Sequence, residues 1–229
     1  PCTNRIGDNY LYDRELSRIK FNIEISANLY RVFNENLKRG GRFYGAVYQQ
    51  MSKEFRKKML LNGQQVVELD YSGLHLKMLY NRNNLDLEVD PYTIILEDPK
   101  QRPLLKVVCL IMINSKNIGS VIKAINFQKN KGKIFLPEGY NAKKLVDAFL
   151  EAHSAISNCL GKDNGIELQY IDSCMAEEIL MYFTNKEIPC LCIHDSFIVQ
   201  EENEEELNYI MLKTYSKYNN GYKIKIDKK

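Results

Sequence analysis

Two aspartates in this chain sit where an apolar strand runs out. In VVELDYSGLH, residues 66–75, Val66 and Val67 have the character of a buried strand and Asp70 stands at its end, two residues after Glu68. Side chains alternate faces along a strand, so Glu68 and Asp70 point the same way. CLCIHDSFIVQ, residues 190–200, repeats the pattern: an apolar run meets His194-Asp195-Ser196 and turns apolar again at Phe197. A buried, unpaired carboxylate is costly, so Asp195 fits a hairpin tip or strand edge. The two aspartates share a site only if their strands are neighbours. If they are, the pair suits magnesium, which takes one or two carboxylates and draws its other ligands from water and substrate phosphates. Two such ions can activate an attacking hydroxyl and stabilise a leaving pyrophosphate. Taken alone, two unrelated turn aspartates explain the pattern equally well. Between them, RPLLKVVCL carries Arg102 and Lys106 at i, i+4, on one face of a helix. Two cations so fixed can neutralise a triphosphate. Such a pair is more often a solvated face, but the rest of this helix is strongly apolar.

The elements that must position these residues follow from composition and periodicity. The chain has 229 residues, 45% hydrophobic and 27% charged. That is enough to bury a core in one globular unit. A net charge of +3 permits a nucleic-acid partner without arguing for one. Six scattered cysteines with no C-x-x-C pair, and only three histidines, give little support to zinc and read as reduced core thiols of a cytoplasmic protein. No signal peptide is visible, and the longest apolar run, VVCLIMI, is too short to cross a bilayer, so no membrane partner is expected. A sequence beginning at Pro1 instead of Met is compatible with a further N-terminal domain.

Apolar positions Leu16, Ile19, Ile23, Ala27 and Tyr30 suggest a helix over residues 13–38, ended by Gly40 and Gly41. RFYGAVYQ reads as a short strand, SKEFRKKMLL as a serine-capped surface helix with a basic face, QQVVELDY as a strand and SGLHLKMLYNR as a helix. DPYTIILED has proline at a first helical turn; RPLLKVVCLIMINS and NIGSVIKAINFQ are helices, the second followed by the basic loop KNKGK. Residues 141–160 and 166–184 read as longer helices, PCLCIHDSFIVQ as a strand with a polar break, EENEEELNYIMLKTYSKY as a helix with an acidic first turn, and GYKIKI as an edge strand. The helices between the two aspartate strands have the look of an insertion.

The ordered set resembles the polymerase core shared by family-A DNA polymerases and phage-type single-subunit RNA polymerases. DYSGLHLK is similar to their motif A, RPLLKVVCLIMINS to motif B (R-x-x-x-K-x-x-x-F-G-x-x-Y-G) and IHDSFIV to motif C. GGRFYG is similar to the glycine-arginine segment that precedes them, DPYTIILED sits where the DNA enzymes carry D-x-H-T, and LQYIDSCMAEEIL is similar to a glutamine-bearing helix before motif C. The resemblance spans roughly residues 40–215, and compact truncated polymerase-primases of mobile genetic elements are its nearest counterpart.

The resemblance implies an α+β right-hand polymerase: a palm with an antiparallel sheet, a helical fingers insertion, and a reduced or absent thumb. It divides the chain into residues 1–40, a helical segment serving as thumb remnant or packing helix; 41–75, palm with motif A; 76–165, fingers with motif B; and 166–229, palm with motif C. It implies template-directed nucleotide transfer. Asp70 and Asp195 would hold two Mg2+ ions, for which Mn2+ can substitute. Lys106 and Arg102 would take the triphosphate, with Lys106 also placed to protonate the leaving group. Tyr71, His75 and Asn114 would line the nucleotide site. Arg42 would sit near the primer or template backbone, Gln169 near the minor groove, and His194 near the primer end. Template, primer and nucleoside triphosphates are the implied partners, and a helicase or small accessory protein is a further candidate.

The chain departs from the pattern at informative places. The motif-A glutamate that abuts the sugar falls at His75; the motif-B phenylalanine, tyrosine and final glycine fall at Leu110, Asn114 and Ser115. Set against the resemblance, these changes imply a remade sugar pocket, and the preference between ribo- and deoxyribonucleotides is open. With no room for a full thumb, grip on the duplex should be weak and products short, as in priming. Beside these readings stand plainer ones. Glu68 is a third carboxylate near the metals or the partner of a lysine. His75 is a polar contact at a helix start. His153 is a surface residue. KEFRKK and KNKGK track phosphates or are solvated faces. Tyr44, Tyr48 and Tyr71 stack on bases or are structural. Two rivals to the polymerase remain: a polymerase-shaped module that binds nucleic acid or a replication partner without chemistry, and a nuclease, which leaves Arg102 and Lys106 unexplained.

Overall fold

A computed structural model describes residues 28–229 apart from 94 and 97. It is an α+β arrangement with antiparallel sheets. The described residues begin with a hairpin of β1 (Tyr30–Asn34) and β2 (Asn36–Tyr44). This corrects the helix expected up to residue 38; its part before residue 28 lies outside the described residues. Tyr30–Asn34 alternates exposed and half-buried positions, the period of a strand. Glu35 turns the chain with φ 62°. Gly40 and Gly41 end no helix. Both lie within β2 at positive φ, and a Cβ on Gly41 would come 2.8 Å from Ser173 Oγ. Glycine is therefore needed for the close approach of the hairpin to the helix carrying Ser173.

A single helical turn, α1 (Lys53–Arg56), capped by Ser52, leads to β3 (Leu60–Leu61) and β4 (Gln64–Tyr71). Only Arg42–Tyr44 of RFYGAVYQ is strand; Val47–Gln50 is a 3-10 turn. Then follow α2 (Leu74–Arg82), α3 (Arg102–Asn114), α4 (Ile118–Asn130), α5 (Ala142–Ala152) and α6 (Gly165–Thr184). The helical turn expected around Pro91 is an ordinary turn over residues 91–93, and the helix expected over 141–160 stops at Ala152 and continues as a 3-10 segment, Ser154–Cys159. Asn117 and Asn141 cap α4 and α5 by accepting the N–H groups of Ser120 and Lys144. The hairpin β5 (Leu191–Ile193) and β6 (Ser196–Gln200), helix α7 (Glu204–Tyr218) and β7 (Ile226–Lys228) complete the chain. The strand read in GYKIKI begins only at its last residue, Ile226, and runs on to Lys228.

Among the described residues five strands form the main sheet in the order β3-β4-β6-β5, with β7 also paired to β4. One face buries Val67, Leu69, Tyr71, Phe197 and Val199 against the helices, including Leu207, Met211 and Tyr215 of α7. The other face carries a smaller cluster of Tyr48, Leu61, Leu191 and Ile198. Glu68 and Asp70 belong to this second face by strand alternation. Among the described residues no helix is long and apolar enough to cross a membrane.

Candidate active site

The condition set by the sequence is met: the two aspartate strands are neighbours. β4 pairs antiparallel with β6, Asp70 opposite Ser196 and Glu68 opposite Ile198, and the N–H of Tyr71 donates to Asp195 O. Asp195 lies in the two-residue turn of the β5–β6 hairpin, beside His194 with its φ of 56°. That is the left-handed conformation that short hairpin turns demand. The turn thus puts a carboxylate at the sheet's end with Asp70 on the adjoining strand.

Electrostatics follow from that placement. Burial, and then the charge of Asp195, push the Asp70 carboxyl up to about 6, although Lys229 pulls the other way. Lys229 Nζ is 3.0 Å from Asp70 Oδ2, while Asp70 Oδ1 is buried with no hydrogen-bond partner. Glu68 is a different case. Burial works against its ionisation, but Arg56 outweighs it and Lys229 and the Ser196 hydroxyl add to the effect, so its pKa falls. Arg56 donates from Nε and Nη2 at 2.8 and 3.0 Å, and Ser196 Oγ donates at 3.0 Å. Glu68 is therefore a structural ion-pair partner, chiefly of an arginine.

A second cluster adjoins the first. Arg42 donates from Nε to Asp172 Oδ2 at 2.9 Å and again from Nη2, and His75 Nε2 lies 3.2 Å from the same oxygen. The Asp172 side chain is 1% exposed. Burial disfavours its charge, yet the hydrogen bond from His75 and the field of Arg42 bring its pKa down. Burial opposes the charge of Arg42, but Asp172 more than offsets this and Asp195 contributes, so Arg42 lies within the field of the hairpin tip. His194 is disfavoured as a cation first by burial and then by Arg42; its ring meets Tyr44 edge-on at 5.6 Å.

Arg102 and Lys106 share one helix face as expected. The Arg102 guanidinium and the Lys106 ammonium lie 5.3 and 5.7 Å from the centre of the Tyr92 ring, and Arg102 Nε donates to Asp90 at 2.6 Å. Tyr92 is itself within the field of Asp195, and Arg102 within that of Asp227, which pairs across β7 with Asp70. Lys106 is exposed and has no carboxylate partner among the described residues.

Other expected residues stand elsewhere. Tyr71 is 3% exposed and donates its hydroxyl to Met211 O at 2.7 Å; strand alternation turns its ring into the core, so it presents no face to a base. Tyr48 is likewise buried. His153 is fully buried, not a surface residue, with Nδ1 2.9 Å from the Tyr80 hydroxyl and Nε2 3.1 Å from Pro91 O. Asn114 donates to Leu110 O at the end of α3 and packs on Gly165, where a Cβ would overlap its side chain. Gln169 is half-buried on α6, one turn ahead of Asp172. Sequence reasoning missed Asp172, Tyr92, Asp227 and Lys229. Asp172 alone had a signal: a carboxylate on the apolar stripe of Leu168, Met175, Ala176 and Ile179 must have a partner.

The donors fit a magnesium pair in kind: two hard carboxylates side by side, one with an open oxygen and a pKa raised by burial and by the other's charge. No group of three or more His, Cys, Asp or Glu suited to a metal occurs among the described residues, so the remaining ligands would come from water and substrate.

No family model matches the chain, and no curated protein matches it. Among solved structures the fold is similar to the POL domain of Pol1 from M. smegmatis, determined in complex with a DNA primer-template and dNTP. The TM-score is 0.56 and identity 10%, over 98% of this chain. The chain spans about half, 49%, of that structure. At this identity the likeness establishes a polymerase-domain fold.

Proposed function

We propose that this chain is a template-directed nucleotidyltransferase with a family-A-like palm (residues 41–75 and 166–229) and helical fingers (76–165). The observation that carries the reading is the pairing of β4 with β6, which sets Asp70 beside the hairpin-tip Asp195, with Arg102 and Lys106 stacked near the same carboxylates. Asp70 and Asp195 are the residues that would hold two Mg2+ ions. When bound, such ions activate the primer 3′-hydroxyl and neutralise the leaving pyrophosphate. The chain's own groups do the rest. Arg102 and Lys106 bind the triphosphate. The Tyr92 ring and Asp90 fix Arg102, while Lys106, without an ion pair among the described residues, is placed to give a proton to the leaving group. Arg42, held rigid by Asp172 and His75, positions the primer-template backbone beside Asp195. His194, turned by its left-handed backbone, supports the primer end.

The resemblance to compact polymerase-primases of mobile elements supports short products, with a helicase or accessory subunit supplying grip. The test is nucleotide incorporation on single-stranded DNA with Mg2+, with and without a primer, deoxyribo- and ribonucleotides supplied separately. Extension that disappears in Asp195→Ala supports the reading, and products without primer make the chain a primase. One observation favours the rival, a module that binds nucleic acid without chemistry: Lys229 already occupies Asp70. Template binding with no incorporation under any condition would decide for it.

A further inference from the structure

β7 delivers a cation to the candidate metal site. Leu69 pairs with Lys228 and Asp70 with Asp227, so Lys229 falls opposite Glu68, and its N–H donates to Glu68 O at 2.9 Å. Opposed residues of an antiparallel pair share a face, so the Lys229 side chain lies on the face of Glu68 and Asp70. Its Nζ is 3.0 Å from Asp70 Oδ2 and 3.5 Å from Glu68 Oε1. Glu68 has little need of it, since Arg56 and Ser196 already satisfy that carboxylate. Asp70 has no other hydrogen-bonded cation among the described residues, and its second oxygen is bare. A divalent ion and an ammonium cannot hold the same carboxylate oxygen without strong mutual repulsion. The Lys229 side chain is 28% exposed. A lysine stem is long and flexible, so the ammonium can leave without disturbing the strand.

We propose that Lys229 is a tethered counter-ion of Asp70, holding the carboxylate oriented until a divalent ion displaces it. The inference rests on the reading of Asp70 and Asp195 as metal ligands. Lys229 thereby sets the metal concentration at which the site assembles. The released ammonium remains within reach of the site as a third positive charge beside Arg102 and Lys106.

The test is Mn2+ binding to the whole chain, followed by water-proton relaxation, without nucleotide or nucleic acid. Lys229→Met keeps the stem and the backbone hydrogen bond. It should bind Mn2+ roughly ten-fold tighter, the order of one charge-assisted hydrogen bond, whereas Lys229→Arg should bind like the parent. Amine acylation read by mass spectrometry should show Lys229 more reactive once Mg2+ is added. Binding that is lost in Asp70→Asn but equal or weaker in Lys229→Met would overturn the counter-ion role and leave the metal site standing. Binding indifferent to Asp70→Asn in every variant would overturn the metal site, and this inference with it.

Discussion

Replacing Asp172 with asparagine tests the scaffold of the site apart from its chemistry. Asp172 and Arg42 have side chains 1% and 18% exposed, so water can take over only in part, on the Arg42 side, when one partner loses its charge. The amide is isosteric and still accepts from Arg42, so packing is unchanged and no cavity confounds the result. Both bonds keep their cationic donor but lose the anionic acceptor, a loss of about 1 kcal/mol each, and Arg42 is left as an uncompensated charge near the core. Breaking a buried pair from one side costs about 3–5 kcal/mol. Residual solvent at Arg42 and the acceptor retained by asparagine put the expected loss near the low end, about 3 kcal/mol. For a chain of this size that lowers the melting temperature by about 6–12 °C.

The assay is urea unfolding followed by circular dichroism: the midpoint should fall with the m-value unchanged. Arg42→Met should destabilise comparably. The double variant Arg42→Met with Asp172→Leu should lose clearly less than the sum, with a coupling of about 1 kcal/mol or more. A loss below about 1 kcal/mol in Asp172→Asn, or simple additivity in the double variant, would refute the view that this pair fixes Arg42 beside the hairpin tip.

Burial lowers the His153 pKa from 6.5 to about 4, so the unfolded chain binds the extra proton. Stability is full above the unfolded value and is lost as pH falls towards the folded one, by up to about 3 kcal/mol, and the difference from His153→Gln across that window measures it. Tyr71→Phe should cost about 1 kcal/mol through the lost bond to Met211 O while leaving nucleotide affinity alone; a loss of nucleotide affinity would restore Tyr71 to the site. Lys129, Lys131 and Lys133 are exposed, and their joint change to Gln should reduce the salt dependence of single-stranded DNA binding by about 2 in log–log slope; an unchanged slope would make KNKGK a solvated face. Extension assays on a long template should give short products, and kilobase products from this chain alone would exclude the low-grip reading.

What could be read from the sequence was what repeats locally. β4, the β5–β6 hairpin, α3 and α4 announce themselves by period, α1 by its serine cap Ser52, and Arg102 and Lys106 by their spacing. The helix expected over residues 30–38 failed because apolar spacing carried past Tyr30 outweighed the turn chemistry of Asn34-Glu35-Asn36 and the glycine pair at 40–41. His153 was misplaced because one polar side chain on a helix says nothing of the tyrosine hydroxyl and carbonyl that satisfy it when buried. Lys229 had no local signal at all, since its place depends on the register of β7 against β4.

The two carboxylates of one strand face show why position alone does not make a ligand. Glu68 and Asp70 are two residues apart with the same orientation, yet Glu68 is enclosed by Arg56, the Ser196 hydroxyl and the sheet, and its pKa falls. Asp70 stands two residues nearer the strand's end; burial and then the charge of Asp195 raise its pKa, with Lys229 pulling the other way. A cation entering this face gains little at Glu68, whose charge is already matched, and much at Asp70, where it relieves the repulsion between two carboxylates and satisfies an oxygen left without a partner. The difference in compensation, set by where β4 ends and where the hairpin turns, is what separates Asp70 from Glu68 as a proposed metal ligand.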